Sequence, residues 1–222
     1  MIKTIIFDFD GTMINSEKYF TQDELIFYQK KINKNITKKE WEENIGRSLE
    51  DTWKYYKSHK KMPLSKKEFF KNWNEWAKDI YLYKTKLLPN LLNTLKFLKK
   101  QNYKIAICSS AQIKLIKIIL ERFDLNKYFD TIISAEDLKG KPGKPKPHIY
   151  KIASKKTKTP PNECLVFEDS YNGIASAKDA GMLCIGVRNE VNKNVDFSLA
   201  DKEIKNYKEV NQKFLKKINP NS

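Results

Sequence analysis

Residues 3–12 read KTIIFDFDGT, an apolar run that ends in two aspartates, a glycine and a threonine. A short run rich in Ile and Phe and bounded by Asp10-Gly11 predicts a buried strand followed by a turn. Asp8 and Asp10 stand at positions i and i+2, so in an extended backbone their side chains point to the same face. Gly11 allows the backbone to turn sharply behind them. The pattern predicts two neighbouring carboxylates at the carboxyl end of the first strand.

Two crowded carboxylates repel each other, and a pKa rises unless a cation joins them. Mg²⁺ suits such a pair, since it combines a few carboxylate oxygens with water and phosphate. The alternative is a strand that simply ends in a polar turn, where Asp-Gly is common. The first motif predicts a magnesium site but does not by itself exclude that alternative.

Further apolar runs predict more buried strands, and amphipathic patterns predict helices between them. The strands are expected at Tyr103–Cys108, Thr131–Ser134, Cys164–Phe167 and Leu183–Val187, and the helices at Leu88–Lys100, Gln112–Phe123, Pro147–Lys156 and Tyr171–Ala180. Strands that alternate with helices predict an α/β fold built on a parallel sheet. One more helix is predicted in the tail, near Lys202–Ile218.

Residues 15–83 break this alternation, because they contain no convincing strand. They read as successive amphipathic helices whose apolar side chains include Leu25, Ile26, Trp41, Ile45, Trp53, Tyr56, Phe69, Phe70, Trp73 and Trp76. These side chains predict the core of a helical bundle in preference to a surface that stacks on a ligand. We therefore expect a core domain at 1–14 and 84–222 and a helical module at 15–83. Such a module can close over the carboxyl ends of the strands, where open α/β sheets bind ligands.

Two polar pairs follow later strands. Ser109 and Ser110 come directly after YKIAIC, where a hydroxyl before a helix can bind a phosphate oxygen. Serine there is also an ordinary helix cap. Glu168 and Asp169 follow CLVF, where two acids could complete a metal site. Capping of the next helix by Asp169 or Ser170 is the alternative.

A lysine-rich stretch, KGKPGKPKP at 139–147, precedes another predicted helix. Lys144 is held stiffly between prolines, and a preorganised ammonium at that place would neutralise phosphate charge. Lys141 and Lys146 are its rivals, and a solvated basic loop is the alternative. However, four polar clusters each fall at the carboxyl end of a different predicted strand. This coincidence predicts one shared site, which the separate alternatives do not explain.

In this order the four segments resemble the haloacid-dehalogenase-like (HAD) hydrolase superfamily. They look most like its phosphatases of the β-phosphoglucomutase-like branch, which carry a small helical cap between the first and second motifs. The resemblance covers the chain from Ile2 to about Arg188. It implies an HAD-like Rossmannoid core with a parallel sheet, plus an inserted small α-helical cap over residues 15–83.

The resemblance also implies a reaction, the hydrolysis of a small phosphorylated metabolite such as a sugar phosphate through an aspartyl-phosphate. Asp8 is expected to be the nucleophile, and Asp10 the acid that protonates the leaving oxygen and then the base that activates water. The residues expected to hold the phosphoryl group are Ser109, Ser110 and Lys144. The groups expected to bind Mg²⁺ are Asp8, the backbone carbonyl of Asp10, and Asp169, with Glu168 in support.

Departures from the family pattern separate a phosphatase from a mutase. Mutases of this branch carry a His on the linker after the first motif and an Arg shortly after the cap glycine. This chain has Phe20 and Leu49 at those positions, and Arg47 lies out of register. The first motif is also followed by Asn15, where Asp is commoner. These differences favour a phosphatase, with a hexose-phosphate mutase as the alternative.

The charge of the chain suggests an alternative of another class. The formal net charge is +16 over 222 residues, as in many nucleic-acid-binding proteins. The arginines, which suit bidentate phosphate and base contacts, are only Arg47, Arg122 and Arg188. A solvated lysine-rich surface is therefore the preferred interpretation over a Lys-rich nucleic-acid-binding protein without catalysis. No nucleic-acid partner is expected.

The remaining expectations concern the surroundings of the protein. No apolar run approaches the ~20 residues of a membrane span, and the N-terminus lacks the features of a secretory signal. Cys108, Cys164 and Cys184 each lie in an apolar run, which predicts buried free thiols rather than disulfides or a zinc site. A cytoplasmic monomer without membrane contact is expected.

Overall fold

The computed structural model describes residues 1–44 and 47–218, without the side chains of Thr21 and Gln22. Within these residues one parallel sheet has the strand order β3-β2-β1-β4-β5-β6. Its strands are β1 Thr4–Phe7, β2 Lys104–Cys108, β3 Thr131–Ile133, β4 Cys164–Glu168, β5 Leu183–Val187 and β6 Lys202–Ile204. The predicted α/β fold with a parallel sheet is confirmed.

Helices connect the strands. Those that follow the first strand are α1 Glu17–Lys31, α2 Lys38–Glu42, α3 Leu49–His59 and α4 Lys66–Asp79, with a π-helical turn at Ile80–Lys84. Those that accompany the later strands are α5 Leu91–Lys100, α6 Ile113–Arg122, α7 His148–Thr157, α8 Tyr171–Asp179 and α9 Gln212–Ile218. The helices predicted over 88–100, 112–123, 147–156 and 171–180 are confirmed within a few residues at each end.

Strand β1 is buried on both faces, as expected of a central parallel strand. Ile5 and Phe7 pack into one hydrophobic cluster, and Ile6 packs into a second cluster on the opposite face of the sheet. The strand lies between β2 and β4, with Phe7 in register with Ile107 and Phe167. The residues that follow these three strands therefore meet at one edge.

Residues 17–84, which we call the helical segment, have a hydrophobic cluster of their own that includes Trp41, Tyr56 and Phe69. The other three tryptophans, Trp53, Trp73 and Trp76, pack against it while partly buried. Burial of the aromatics agrees with the bundle core predicted from the sequence. Ile26 was also predicted to be a core residue, and that prediction is wrong, because its side chain is 47% exposed. Ile45, the other aliphatic residue predicted there beside Leu25, lies outside the described residues.

The helical segment leaves and rejoins the sheet at one place. Ile14 and Leu87 form an antiparallel bridge. Beside it the N–H of Asn15 donates to the carbonyl of Lys86 at 3.0 Å, and the N–H of Leu88 donates to the carbonyl of Met13 at 2.9 Å. The backbone segments that enter and leave the helical segment are thus hydrogen-bonded to each other.

The tail differs from the predicted helix over 202–218. Residues Lys202–Ile204 form β6, which pairs with β5, and only Gln212–Ile218 are α-helical. The edge of a parallel sheet offers unpaired backbone groups, and a short segment with little helical bias can satisfy them. The side chain of Glu203 also pairs with Arg188 at 2.6 Å.

Two predictions about the surroundings can be compared with the structure. Cys108, Cys164 and Cys184 are buried free thiols, as expected. In the described part of the chain, each helix is either too short or too polar to cross a bilayer.

Candidate active site

The carboxyl edge of the sheet opens into a cavity of about 790 Å³ between the strands and the helical segment. Asp8 follows β1, Ser109 follows β2 and Asp169 follows β4, and all three line this cavity. The other predicted residues on its wall are Asp10, Ser110 and Lys144. The expected meeting of the four motifs at one place is therefore present in the structure.

Lys144 lies at the centre of the charged groups. Its Nζ donates to Oδ1 of Asp8 and to Oε1 of Glu168, each at 2.5 Å, and its side chain is 3% exposed. Lys141 and Lys146, the rival lysines, are both exposed to solvent. Burial lowers the pKa of Lys144, but the carboxylates of Asp8 and Glu168 outweigh burial and raise it. Lys144 therefore remains a cation beside Asp8.

Glu168 is fully buried and hydrogen-bonded through both of its oxygens. Oε1 also accepts a hydrogen bond of 2.8 Å from the phenol of Tyr150. Oε2 accepts from the N–H of Asp169 at 3.0 Å and from the hydroxyl of Ser170 at 3.1 Å. A side chain at Gly173 would collide with this carboxylate, since an added Cβ would lie 1.9 Å from it. Glu168 is thus well placed to hold Lys144 in position.

Three acids form a group that could bind a metal. Carboxylate oxygens of Asp8, Glu168 and Asp169 lie within 4.8 Å of one another. Burial raises the pKa of Asp8 to about 8 against the opposing effect of Lys144. Burial, followed by repulsion from Glu17, also raises the pKa of Asp169. Lys144 alone does not balance these acids, and an all-oxygen, acid-rich set fits a hard divalent cation such as Mg²⁺.

Gly11 leaves the space that the carboxylate of Asp169 occupies in this group. Its φ is +75°, a conformation that glycine adopts readily and other residues rarely. A Cβ added there would lie 1.9 Å from Oδ2 of Asp169. Asp169 is further held by the hydroxyl of Thr12 at 3.3 Å and by the amide of Asn189 at 3.2 Å. Only a glycine at position 11 therefore lets Asp169 approach the end of β1.

Asp10 is held by two hydroxyls. Ser16 donates to its Oδ1 at 2.6 Å and Tyr81 donates to the same oxygen at 2.8 Å. Burial raises the pKa of Asp10, and these two hydrogen bonds oppose the rise. Asp10 is thereby fixed in orientation while its carboxyl group retains a raised pKa.

The two serines after β2 do not cap the next helix. Helix α6 begins after Gln112, which makes no capping hydrogen bond through its side chain. Ser109 is buried, and its Oγ accepts a hydrogen bond of 2.9 Å from the N–H of Ala111. Ser110 lines the cavity beside it. Helix capping, the alternative considered for this pair, does not account for their position.

After β4 the residue that caps the next helix, α8, is Ser170 and not Asp169. The hydroxyl of Ser170 accepts a hydrogen bond of 3.0 Å from the N–H of Gly173 at the start of α8. Asp169 is left to face Gly11 and the end of β1.

Sequence reasoning missed several residues of this site. Tyr81 and Ser16 bind Asp10, and Tyr150 binds Glu168.

Glu17 also lines the cavity, and burial, followed by repulsion from Asp10 and Glu24, raises its pKa to about 8. Glu17 is the first residue of α1, where an acid suits the helix dipole. Because Glu17 lies only a few positions after the first motif, the sequence could have predicted it as a site residue. No sequence pattern predicts Tyr81 or Tyr150 at the site.

The sheet order, with acids gathered at the carboxyl edge of the strands, defines a Rossmann-type α/β fold whose candidate site lies at that edge. The family described as haloacid dehalogenase-like hydrolase matches residues 5–187, and the chain belongs to this family. The predicted resemblance is confirmed.

Individual relatives agree with this assignment. The chain is 31% identical to a Saccharomyces cerevisiae protein named as a probable pseudouridine-5′-phosphatase, over 84% of this chain and 82% of the relative. It is 28% identical to hexitol phosphatase B of Escherichia coli, over 96% of each chain. The crystal structure of β-phosphoglucomutase from Clostridium difficile shares the fold, with a TM-score of 0.79, 24% identity and coverage of 98% and 97%. The protein is a phosphoric monoester hydrolase of the HAD-like family.

Proposed function

We propose that the protein is a Mg²⁺-dependent phosphatase that hydrolyses a small phosphorylated metabolite, such as a sugar or polyol phosphate, with Asp8 as nucleophile. The observation that carries this proposal is the position of Asp8, at the wall of the cavity and 2.5 Å from the buried ammonium of Lys144. The relatives named as phosphatases of a nucleoside phosphate and of hexitol phosphates support the substrate class.

Asp8, the backbone carbonyl of Asp10, and Asp169 would hold the metal. Bound there, Mg²⁺ would supply positive charge that offsets the repulsion between the phosphate dianion and the acids. Glu168 would act in support, because both of its oxygens already accept hydrogen bonds from protein groups. Gly11 leaves the space in which Asp169 reaches this position.

In the first step a carboxylate oxygen of Asp8 attacks phosphorus, and the bond between phosphorus and the leaving oxygen breaks. Lys144, Ser109 and Ser110 hold the phosphoryl oxygens, and the charge of Lys144 stabilises the transition state. Asp10 gives its proton to the leaving oxygen. The product is an aspartyl-phosphate on Asp8 and a free alcohol, so one difficult displacement is divided into two easier ones.

In the second step Asp10 takes a proton from water, and the water oxygen attacks the phosphorus of the aspartyl-phosphate. The bond to Asp8 breaks, phosphate leaves and both aspartates return to their first states. Ser16 and Tyr81 bind Oδ1 of Asp10, and we assign the transferred proton to Oδ2. A carboxyl group with a raised pKa is suited to giving and taking a proton in turn.

Residues 15–83 would form the cap that closes over the cavity. The hydrogen bond of 3.3 Å from the N–H of Gly143 to Oδ2 of Asp51 supports this, since it joins the loop of Lys144 to helix α3. The position of Phe20 supports phosphatase over mutase activity. Its ring stacks on Trp73 at 6.0 Å and supplies no titratable group where mutases carry a His.

Release of phosphate from p-nitrophenyl phosphate tests the proposal. We expect steady turnover with Mg²⁺, loss of turnover after chelation and loss in Asp8→Asn. Asp124→Asn, which changes an exposed aspartate outside the cavity, is the matched control. Full turnover by Asp8→Asn would show that the nucleophile has been wrongly assigned.

Three expectations from the sequence stay predictions. They are a cytoplasmic location, a monomeric state and the lack of a nucleic-acid partner.

A further inference from the structure

The wall of the cavity contributed by the helical segment carries a carboxylate that the proposed reaction does not use. Glu24, in the middle of helix α1, lines the cavity. Its Oε1 accepts hydrogen bonds from the phenol of Tyr28 at 2.9 Å and from the indole of Trp73 at 3.1 Å. Its Oε2 accepts one from the indole of Trp41 at 2.9 Å. Three side chains from three helices fix this carboxylate in one orientation.

An ionised carboxylate has about four positions at which it can accept hydrogen bonds. The indole and phenol donors fill both positions on Oε1 and one on Oε2 of Glu24. One acceptor position on Oε2 therefore remains, on a residue that lines the cavity. This position calls for a hydrogen-bond donor.

The two ends of the cavity thus differ in chemistry. The sheet edge offers the ammonium of Lys144 to an anion, whereas the opposite wall offers the acceptor Glu24. The aromatic side chains that line the cavity on this wall are Phe20, Tyr28, Trp41, Phe70 and Trp73. Apolar rings beside a fixed acceptor suit a sugar or polyol, which has both C–H faces and hydroxyls.

Two cations also line this wall. Lys66 forms an ion pair with Glu50, and the guanidinium of Arg47 lies 5.6 Å from the centre of the Tyr55 ring. Neither cation is among the partners of Glu24, whose hydrogen bonds come from uncharged groups. Among the residues described, no cation of the protein occupies the remaining acceptor position of Glu24.

We propose that Glu24 determines specificity by accepting a hydrogen bond from a hydroxyl on the leaving group of the substrate. The inference rests on the proposed function, since it places the phosphoryl group at Asp8 and the alcohol against the helical segment. Phosphate monoesters of polyols are then preferred to monoesters of the same carbon chain without hydroxyls. Glu24 acts on substrate choice and takes no part in the transfer of the phosphoryl group.

The test compares glucitol 6-phosphate with hexyl phosphate, which share a carbon skeleton and differ in hydroxyls. In the wild-type protein we expect kcat/KM to favour glucitol 6-phosphate. In Glu24→Gln we expect its KM to rise about tenfold to hundredfold, the value of a hydrogen bond to a charged group. The KM for hexyl phosphate and turnover of p-nitrophenyl phosphate, whose leaving group has no donor, should stay within about threefold of wild type.

Tyr28→Phe provides the matched variant, because it removes one donor to Glu24 and keeps the carboxylate. It should retain the preference for glucitol 6-phosphate even where the melting temperature falls. A wild-type protein without that preference, or one that hydrolyses neither ester, overturns the proposal. Equal losses on all substrates in Glu24→Gln and Tyr28→Phe also overturn it, because they indicate that Glu24 only joins the helices. Failure of the proposed function is recognised separately, as p-nitrophenyl phosphate turnover that does not depend on Asp8.

Discussion

The phenol of Tyr81 donates a hydrogen bond of 2.8 Å to Oδ1 of Asp10, although 71 positions separate the two residues. Tyr81 lies in the π-helical turn through which the helical segment returns to the sheet. The guanidinium of Arg122 donates to the carbonyl of Tyr81 at 2.8 Å and fixes the turn against helix α6. The return of the helical segment therefore sets the orientation of a residue in the first motif.

Replacement of Tyr81 by Phe tests this connection. Loss of the phenol leaves Asp10 oriented by Ser16 alone, so proton transfer to the leaving oxygen should be less well aligned. We expect kcat to fall about tenfold, the value of one hydrogen bond to a charged group. Steady-state kinetics with p-nitrophenyl phosphate measures it. Tyr83→Phe, at a tyrosine that is 75% exposed, should behave as wild type, and an unchanged kcat in Tyr81→Phe would contradict the assignment.

Replacement of Lys144 by Met removes the buried cation while keeping a long side chain. Asp8 and Glu168 then face each other without compensation, and removing one partner of a buried pair costs about 3 to 5 kcal/mol of stability. Turnover should fall about a hundredfold to a thousandfold, as for loss of a preorganised electrostatic group. Thermal unfolding and kinetics measure the two effects. The control is Lys146→Met at an exposed lysine, and equal effects of both substitutions would argue against a special role for Lys144.

Replacement of Gly11 by Ala should weaken magnesium binding. The added Cβ would displace the carboxylate of Asp169, and disturbing the surroundings of a ligand lowers metal affinity about tenfold to hundredfold. Gly140→Ala is a matched control, because Gly140 also has a positive φ, +84°, but an added Cβ meets nothing within 4 Å. Both variants should lose about 1 to 2 kcal/mol to backbone strain. Calorimetric titration with Mg²⁺ separates them, and equal affinities would refute the expectation.

Acid stability should depend on Asp130, at the start of β3. Burial acts to raise the pKa of Asp130, but hydrogen bonds from the N–H of Ile105 and from Lys99 hold it below its usual value. A lowered folded-state pKa contributes stability that is present above the unfolded value of about 3.9 and is lost as pH falls through the folded value. Denaturant unfolding measured as the pH falls from neutral to below about 3.9 should show a smaller loss of unfolding free energy in Asp130→Asn than in the wild-type protein.

At neutral pH the Asp130→Asn variant should be less stable by about 1 kcal/mol, a modest value because the carboxylate is partly screened by solvent. Asp124→Asn, at an exposed ion pair with Lys127, should change stability by less than about 0.5 kcal/mol. If the acid loss in Asp130→Asn equals that of wild type, the hydrogen bonds of Asp130 contribute nothing to it.

The sequence predicted what local patterns determine. The strand before Asp8 is short, apolar and buried on both faces, so its identity and its end could be recognised without tertiary information. The same holds for β2, β4 and β5 and for the helices after them. Because parallel strands align their carboxyl ends, the meeting of Asp8, Ser109 and Asp169 followed from the order of elements alone.

Other features depend on contacts that leave no local pattern. The β6 segment at Lys202–Ile204 carries two charged residues and is a strand because it pairs with β5. Four helices separate Asp10 from Tyr81 along the chain, and Tyr150 reaches Glu168 from the first turn of α7. The sequence of helix α1 predicts a solvent-facing position for Glu24, because the hydrogen bonds from Trp41 and Trp73 come from other helices.

The bridge between Ile14 and Leu87 has a consequence for how such enzymes diversify. Since departing and returning backbone are neighbours, excising everything between them leaves a gap that a short loop can close. A different helical piece could be grafted at the same two points without altering the register of any strand. The same sheet and active-site residues could in this way be combined with a different helical segment. The enzyme would then select a different substrate while the reaction stays the same.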